Sequence, residues 1–329
     1  MVRFAILGCG RIGRMHARHI RAHPRAELVV CYDVAGAAAL ETAAETGAVV
    51  ADSAADAIGH HEVDAVFIAS STDTHVDLLT LAARAGKPVL CEKPIDLDLA
   101  RVDACWEDIG RLAPLIVLGF NRRFDPSFRS LRERLLAGEI GRLEQAVITS
   151  RDPAPPPVSY VQGSGGLFRD MTIHDFDMAR YLAGDIVEVQ AMGANLVDPA
   201  IGAAGDIDAA MILLRAASGA LVHINNSRRC AYGYDQRIEA FGKKGMLQAQ
   251  NRHLTTVEAW TATATGVRDP VQDFFITRYA EAYWAELDHF VDCVENGTRP
   301  IAGFAEGRES LRLADAALQS MHEGRAVRI

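Results

Sequence analysis

The chain has 329 residues, of which 49% are hydrophobic and 23% are charged, and this balance is typical of a folded globular protein. Its 43 acidic residues outnumber its 34 basic residues, which gives a formal net charge of -9. This excess argues against a general surface for nucleic acids or anionic membranes, because both carry negative charge. It does not argue against a local basic pocket.

No secretory leader or membrane-spanning segment is apparent, since the first apolar run, residues 2–7, is short and leads directly into glycines. The six cysteines are scattered, and none forms a CxxC pair. In a chain of this size the pattern favours reduced thiols over a disulfide framework or a zinc site. We therefore expect a cytoplasmic protein.

The first third of the chain alternates short apolar runs with amphipathic helical patterns. The runs are rich in Val, Ile and Leu and lack the period-2 alternation of half-exposed strands, which favours buried strands. This order predicts an N-terminal Rossmann domain, residues 1–120, with a doubly wound parallel sheet. The predicted strands are residues 2–7, 28–32, 65–69, 88–91 and 115–120. The predicted helices are residues 15–22, 35–46, 75–85 and 97–109.

After about Asn121 the pattern changes, and residues 121–329 form the second predicted domain. Consecutive strand patterns with short turns predict an α+β domain with a large, mostly antiparallel open sheet. The Pro-rich run 152–157 excludes regular structure, because proline lacks a backbone donor. The predicted strands are residues 143–150, 187–194, 208–214, 220–225, 236–241 and 255–260. The predicted helices are residues 126–137, 170–182, 277–295 and 305–322, the last of which is free to pack back on the first domain.

Gly8, Gly10 and Gly13 form a G-x-G-x-x-G pattern between the first predicted strand and the first predicted helix. The first glycine permits a tight turn, the second lets the backbone approach a pyrophosphate, and the third allows close packing. Alone the pattern is weak, since glycines also mark ordinary turns, but this context is the one that a dinucleotide site requires. Arg11 and Ile12 lie in the same loop, where Arg11 could pair with the pyrophosphate or point to solvent.

Asp33 ends the second predicted strand, 20 positions after Gly13. A carboxylate there can accept hydrogen bonds from the adenosine ribose and would repel a 2′-phosphate. No Arg or Lys follows within residues 34–40 to neutralise such a phosphate. The alternative is a solvated Asp at a strand end. We expect NAD as the cofactor, in preference to NADP.

Two further motifs resemble those of the Gfo/Idh/MocA oxidoreductase family. The triplet Glu92, Lys93 and Pro94 follows the fourth predicted strand, and residues 165–175 read GGLFRDMTIHD. With the glycine loop and the segment 69–75 (ASSTDTH), the resemblance covers essentially the whole chain. Within the family, residues 120–125 (FNRRFD) and 151–153 (RDP) are most similar to the inositol 2-dehydrogenase branch. The resemblance implies NAD-dependent oxidation of a secondary alcohol of a cyclic polyol, with myo-inositol favoured.

The residues themselves suit this chemistry. Lys93 follows a predicted parallel strand, at the edge where ligands bind in open α/β sheets. Asp170 and His174 are four residues apart on a predicted helix and should share one face, with Asp170 ionised near the helix N-terminus. Alcohol oxidation removes a proton from oxygen as hydride leaves carbon, and histidine accepts protons near neutral pH. A lysine ammonium favours the developing alkoxide.

The resemblance implies specific roles for these three side chains. His174 is expected to be the general base or proton relay, Asp170 its partner and a substrate ligand, and Lys93 the group that orients and polarises the hydroxyl. The division of work between Lys93 and His174 is a hypothesis. Taken singly, a Lys before Pro is usually a surface residue, and an Asp/His pair at this spacing is usually a modest helix contact.

Further candidates come from the same segments. Ser70, Thr72 and His75 lie near the expected nicotinamide, as do Glu92 and Lys93. Polyol sites need many polar partners. The residues expected to bond ring hydroxyls are Asn121, Arg123, Asp152 and Tyr234, although Arg122 and Arg123 could be surface charges and Tyr234 could pack in the sheet.

Two histidine pairs, His16 with His19 and His60 with His61, raise the question of a metal site. Neither pair has a third ligand at suitable spacing. We expect no metal, and we expect these histidines to be exposed to solvent.

Three functions remain open on the sequence alone. The first is a dehydrogenase of myo-inositol, or of scyllo-inositol or a pyranose. The second is an NAD-dependent glycosidase, which also occurs in this family and uses a transient oxidation. The third is a non-catalytic sugar or redox sensor on the same scaffold. A strand-rich domain with one uncovered apolar face requires a partner, so we expect a homo-oligomer, which the resemblance implies to be a tetramer.

Overall fold

In the computed structural model, which describes residues 1–329, the chain divides into two units. The first contains Met1–Asn121 and Ala282–Leu311, and the second contains Arg122–Glu281 and Arg312–Ile329. None of the helices combines the length and the apolar composition that crossing a membrane requires.

The N-terminal segment of unit 1, Met1–Asn121, contains a six-stranded sheet and five α-helices. The strands are β1 (Val2–Leu7), β2 (Ala26–Tyr32), β3 (Val49–Val50), β4 (Ala65–Ile68), β5 (Val89–Cys91) and β6 (Ile116–Leu118). The helices are α1 (Arg11–Ala22), α2 (Gly36–Thr46), α3 (Ala54–Gly59), α4 (His75–Arg84) and α5 (Leu99–Ile109). All strand pairs are parallel, in the order β3-β2-β1-β4-β5-β6. The order reverses between β1 and β4, which is where such sheets bind ligands.

This arrangement confirms the predicted Rossmann fold. Neither β3 nor α3 is among the elements predicted from the sequence. β3 has two residues and pairs only with β2, at the edge of the sheet, so it shows no periodicity. α3 has six residues, and its clearest signal is its N-cap, where Ser53 Oγ accepts a hydrogen bond from the Asp56 amide at 3.1 Å.

Unit 2 contains a seven-stranded sheet covered on one face. Its strands are β7 (Leu143–Arg151), β8 (Ile186–Ala194), β9 (Ala209–Ala216), β10 (Leu221–Ser227), β11 (Asp235–Gly242), β12 (Gly245–Ala249) and β15 (Val327–Arg328). A separate pair is formed by β13 (Glu258–Ala259) and β14 (Val267–Arg268). The helices are α6 (Pro126–Leu136), α7 (Val158–Ser164), α8 (Gly166–Asp170), α9 (Ile173–Ala183), α10 (Pro199–Ala203) and α11 (Phe275–Arg278).

The strand order is β12-β11-β7-β10-β9-β8-β15, and every pair is antiparallel except β7 with β10. The predicted mostly antiparallel sheet is confirmed. Because β7 and β10 are parallel, their carboxyl ends lie at the same edge of the sheet. Residues just after these two strands are therefore brought together.

Two predicted elements of unit 2 are wrong in detail. The predicted strand 255–260 is only the two-residue β13, whose side chains are exposed. It pairs with β14 and not with the seven-stranded sheet, so no neighbour extends it. The predicted helix 170–182 is divided between α8 and α9.

Two long helices, α12 (Ala280–Asn296) and α13 (Phe304–Glu323), complete the chain. Most of α12 belongs to the core of unit 1, where Leu287, Phe290 and Val291 are fully buried. The ring centroids of Phe290 and Phe4, on the first strand, are 5.7 Å apart. Residues from the end of the chain therefore complete the core that its beginning starts.

Candidate functional site

The glycine loop joins β1 to α1 at the carboxyl edge of the parallel sheet. Gly8 has a φ of +99°, and a Cβ there would collide with the backbone of Ala69 and Ser70. A Cβ on Gly13 would collide with the Gly8 carbonyl. These two glycines are required by the close packing of unit 1 itself.

Gly10 differs from the other two, because a Cβ built on it would meet no atom within 4 Å. It is the N-cap of α1, and no side chain caps the first turn. The helix therefore presents backbone N–H groups to open space, which is the arrangement that binds a pyrophosphate. The residues of this loop fit a bound dinucleotide.

Asp33 lies at the end of β2, beside the glycine loop. Its Oδ2 accepts a hydrogen bond from the Cys9 amide at 2.6 Å, and its Oδ1 accepts one from the Ala35 amide at 2.7 Å. Each carboxylate oxygen can accept a second hydrogen bond, so Asp33 can still accept hydrogen bonds from ribose hydroxyls. The carboxylate is held where NAD is favoured over a cofactor with a 2′-phosphate.

The loop after β4 and the loop after β5 are joined through His75. This ring is 1% exposed, and its Nδ1 lies 2.8 Å from the Pro94 carbonyl oxygen while its Nε2 lies 3.1 Å from the Ser70 carbonyl oxygen. Burial lowers the pKa of His75. Both ring nitrogens thus face backbone carbonyls, so His75 connects the two loops and is not one of the proposed cofactor contacts. Ser70 and Thr72 are half-buried at the same sheet edge.

Glu92 and Lys93 follow β5 and are both half-buried. The Lys93 amide donates to Glu92 Oε2 at 3.3 Å. A Cβ on Gly119, just past β6, would lie 2.9 Å from the same oxygen, so the neighbouring strand end leaves room for the carboxylate. The structure thus places the Glu-Lys-Pro triplet at the carboxyl edge, as its sequence position predicts.

Two buried side chains, His16 and Glu286, lie near Glu92 of this triplet, and their burial was not predicted from the sequence. His16 is fully buried, so the prediction that it is solvated is wrong, and its Nε2 lies 3.4 Å from Glu92 Oε1. Glu286 of α12 is 0% exposed, and neither of its oxygens has a hydrogen-bond partner. Burial raises the pKa of Glu286 well above its ordinary value, and the charge of Glu92 raises it further. No group of three His, Cys, Asp or Glu side chains is arranged to hold a metal ion.

In unit 2, Asp170 and His174 lie on different helices. Asp170 is the last residue of α8, and His174 is the second residue of α9. Between them the Thr172 amide donates back to the Leu167 carbonyl at 3.0 Å, and its hydroxyl donates to Asn226 Oδ1 at 2.7 Å. These bonds end α8 before α9 begins, which is why the prediction of a single helix is wrong.

Asp170 is held by two side chains that the sequence analysis did not select. The Tyr160 hydroxyl donates to Asp170 Oδ1 at 2.9 Å, and Arg228 Nη1 donates to Asp170 Oδ2 at 3.3 Å. Arg228 is 1% exposed and directly follows β10. A carboxylate that accepts bonds from a phenol and a guanidinium has a fixed orientation.

Asp152 directly follows β7, and its amide donates to the Ser227 carbonyl of β10 at 2.9 Å. Burial raises its pKa to about 7, the charge of Arg228 opposes that rise, and the charge of Asp170 adds to it. The parallel pairing of β7 and β10 accounts for this cluster of charges. Perturbed carboxyl groups of this kind are concentrated at functional sites.

A buried polar network lies under the N-terminus of α9. Asp175, next to His174, accepts hydrogen bonds from Arg122 Nη1 and Ser150 Oγ, both at 2.5 Å, and from Asn226 Nδ2 at 2.8 Å. Ser150 and Asn226 are paired across β7 and β10. The network therefore fixes the first turn of α9, and with it the backbone of His174, on the sheet.

The remaining predicted substrate ligands differ in their surroundings. Arg123 donates to Asp177 through Nε, at 2.8 Å, and through Nη2, at 2.7 Å, in a buried ion pair. Tyr234 is buried, with its ring edge-on to Tyr279 at 6.0 Å, and burial raises its pKa well above its ordinary value. Asn121 is buried at the start of a short 3₁₀ turn. Since Arg123 is committed to Asp177, we do not carry it into the proposed substrate contacts.

Comparison with known proteins identifies both halves of the chain. Residues 2–112 match the oxidoreductase family described as an NAD-binding Rossmann fold, and residues 128–248 match the GFO/IDH/MocA C-terminal domain. A protein of Rhizobium meliloti named inositol 2-dehydrogenase is 48% identical over 331 residues, which cover 100% of this chain and 99% of the relative.

Solved structures are similar over the same length. A myo-inositol dehydrogenase from Corynebacterium glutamicum has 49% sequence identity and a TM-score of 0.97, with coverage of 100% of this chain and 99% of the other. The scyllo-inositol dehydrogenase from Lactobacillus casei with bound NAD(H) and scyllo-inositol has 31% identity and a TM-score of 0.92, with the same coverage. The protein is a member of the Gfo/Idh/MocA family of NAD-binding oxidoreductases.

Proposed function

We propose that the protein oxidises one secondary alcohol of a cyclic polyol, with myo-inositol converted to 2-keto-myo-inositol as the preferred reaction. The observation that carries the proposal is the cluster of Asp152, Tyr160 and Asp170 at one edge of the seven-stranded sheet, with His174 four residues beyond Asp170. Several fixed acceptors and donors suit a ring that carries a hydroxyl on every carbon. The relatives described above are named for inositols, which supports this substrate class.

In the proposed reaction, bound NAD supplies the hydride acceptor. His174 takes the proton of the reacting hydroxyl, and Asp170 accepts a hydrogen bond from the substrate and keeps it oriented. Lys93 places its ammonium on the reacting oxygen, where negative charge develops as the carbonyl forms. Asn121, Asp152 and Tyr234 bind the other ring hydroxyls.

We assign the cofactor to unit 1, and the substrate contacts to unit 2 together with Lys93 and Asn121 of unit 1. The open space before Gly10 and the carboxylate of Asp33 support the cofactor assignment. The proposed cofactor contacts are Gly8, Gly10, Arg11, Ile12, Gly13, Asp33, Ser70, Thr72, Glu92 and Lys93.

The proposed assembly is a homo-oligomer formed through the outer face of the seven-stranded sheet. Met192 of β8 and Met211 of β9 are paired on this face and are 75% and 57% exposed, and Leu213 is 56% exposed beside them. Neighbouring exposed apolar side chains of this kind favour an interaction surface. Analytical ultracentrifugation of the protein and of M211E tests this assembly, because a charge on the face should dissociate it, and a wild-type monomer would contradict it.

The reaction is tested by following NADH formation from NAD with myo-inositol, scyllo-inositol, glucose and an aryl glycoside. We expect the highest kcat/KM with myo-inositol and no release of the aglycone from the aryl glycoside. H174A should lose at least about a hundredfold in turnover, as expected for loss of a general base, while its NADH affinity stays within about twofold. NADH formation only from a pyranose, aglycone release, or near-normal turnover by H174A would overturn it.

A further inference from the structure

Arg228 is a buried cation among three carboxylates. It is 1% exposed and directly follows β10. Its Nη1 lies 3.3 Å from Asp170 Oδ2, and its Nη2 lies 3.9 Å from Asp206 Oδ2. Its charge also lowers the pKa of Asp152 against the larger effect of burial. A guanidinium removed from water is tolerated only where opposite charges compensate it, so the burial of Arg228 depends on the neighbouring carboxylates.

The contacts of Arg228 lead to both ends of the five-residue helix α8. Asp170 is the last residue of this helix. At its other end, Asp206 Oδ1 accepts a hydrogen bond from the Leu167 amide at 3.1 Å. One guanidinium therefore faces the carboxylate that ends α8 and the carboxylate that holds its first turn.

The paired glycines of the motif fit the same arrangement. Gly166 has a φ of +84°, a conformation that favours glycine. A Cβ on Gly166 would lie 2.8 Å from Asp206 Oδ1, so a larger residue would push Asp206 away from Leu167 and from Arg228. The glycine is thus required for the carboxylate that Arg228 faces.

We propose that Arg228 is a positioning residue of the substrate half of the site, which fixes Asp170 by pairing with the carboxylates at both ends of α8. The proposal rests on the function proposed above and adds a residue that makes no contact with the reacting atoms.

The expected pH dependence follows from the groups that face Arg228. They are Asp152 after β7, Asp170 of α8 with its partner Tyr160 of α7, and Asp206 before β9, while Arg122 and Asp175 act on Asp152 from the network under α9. Without the Arg228 charge, the effect that most opposes burial at Asp152 is lost while the charge of Asp170 remains, so the Asp152 carboxyl group should bind protons more readily. The acidic limb of kcat/KM should then move to higher pH.

The test compares R228M, R228K and D206N with the wild type. In R228M we expect KM for myo-inositol to rise about tenfold or more, as for a lost contact to a charged group, with a smaller change in kcat and an unchanged NADH affinity. R228K keeps the charge but not the planar guanidinium. Its KM should therefore lie between those of R228M and the wild type, and its acidic limb should stay at the wild-type pH. D206N removes one negative charge and should move the limb to lower pH.

R229M is the matched control, because Arg229 is the neighbouring arginine but is exposed. It should match the wild type in KM and in the acidic limb. The proposal is overturned if R228M keeps the wild-type KM and limb, or if R228M and D206N lose activity with lower melting temperatures but without opposite shifts of the limb.

A second measurement does not depend on turnover. Carbon NMR titration of Asp-labelled protein, without substrate, should show that the Asp152 carboxyl group titrates at higher pH in R228M than in the wild type. If the wild type forms no NADH from any inositol but this shift is present, the proposed function fails and the role of Arg228 in holding these carboxylates stands. If the shift is absent, the role of Arg228 fails whatever the substrate.

Discussion

The hydroxyl of Tyr160 donates a hydrogen bond to Asp170 Oδ1 at 2.9 Å, and this bond links α7 to the end of α8. Tyr160 follows the proline-rich run that the sequence analysis could describe only as irregular. The run therefore delivers a donor to the substrate half of the proposed site, where it fixes one oxygen of Asp170 and leaves that oxygen a further lone pair.

Replacing this donor should weaken substrate binding. In Y160F we expect KM for myo-inositol to rise about threefold to tenfold, the usual range for one lost hydrogen bond, with a smaller change in kcat. Initial rates at saturating NAD measure both. Y232F is a matched control, because Tyr232 is equally exposed and donates to a different carboxylate, Asp235, at 2.6 Å. Equal effects in both variants would contradict a specific role for Tyr160.

Asp152 should make substrate binding depend on pH near neutrality. Its pKa is raised from 3.8 to about 7, chiefly by burial, so the carboxyl group is protonated below that value and ionised above it. The ionised form is the stronger acceptor and has more acceptor sites than the protonated form, so kcat/KM should rise with pH through about 7.

In D152N this limb should be lost, and the loss of kcat/KM relative to the wild type should be greater at pH 8 than at pH 6. The same shift has a stability consequence. Because the folded state holds the proton more tightly, wild-type stability should decline as pH rises from 3.8 through about 7. Thermal unfolding of D152N should lack that decline. A pH profile of activity in D152N that matches the wild type would contradict the role assigned to Asp152.

Gly10 should be required by the cofactor and not by the fold. A methyl group there meets no protein atom within 4 Å, so G10A should fold with a stability cost of about 1 kcal/mol or less. Its NADH affinity, measured by fluorescence titration, should fall at least about tenfold, because the methyl group occupies the space of the pyrophosphate. G59A is the control, since Gly59 in α3 is equally open. Normal NADH affinity in G10A would show that the cofactor binds elsewhere.

Glu286 should reduce stability as the pH rises. Its ordinary pKa of 4.5 is raised well above that value in the folded protein, first by burial and then by Glu92. The contribution of this group is therefore most favourable below 4.5 and is lost as the pH rises toward the folded-state value.

The variant E286Q has no such dependence, so its melting temperature should exceed that of the wild type by an amount that grows with pH. Glu281 lies on the same helix, and E281Q serves as a control in which the effect on the melting temperature should have the opposite sign. Arg252 binds Glu281 at 2.9 Å and lowers its pKa. A constant difference between E286Q and the wild type from pH 5 to 9 would contradict the buried-acid assignment.

The sequence predicted most of what depends on local pattern. The glycine loop, Asp33 and the Glu-Lys-Pro triplet all follow buried parallel strands, and a parallel sheet places such positions at one edge whatever the details of packing. The change of pattern near Asn121 also predicted the change from a parallel sheet to a mostly antiparallel sheet.

Contacts between distant segments could not be predicted in the same way. Asp175 immediately follows His174, but its bonds to Ser150 and Asn226 depend on the parallel pairing of β7 with β10, which no local pattern shows. The division of the predicted helix 170–182 depends on Thr172, whose hydroxyl bonds to one of these strands. One signal was available: Arg228 lies three residues after the predicted strand 220–225 and Asp152 lies two residues after the predicted strand 143–150, so both charges were candidates for the same site.

The position of α12 in the core of unit 1 has a consequence for how the protein is made. Leu287, Phe290 and Val291 pack in the cluster that contains Phe4 and Phe67, although nearly three hundred residues separate the first strand from this helix. During translation, the hydrophobic core of unit 1 stays incomplete until the ribosome has synthesised most of the polypeptide, including α12. A premature stop codon before residue 282 would therefore remove part of the domain translated first as well as the one translated last.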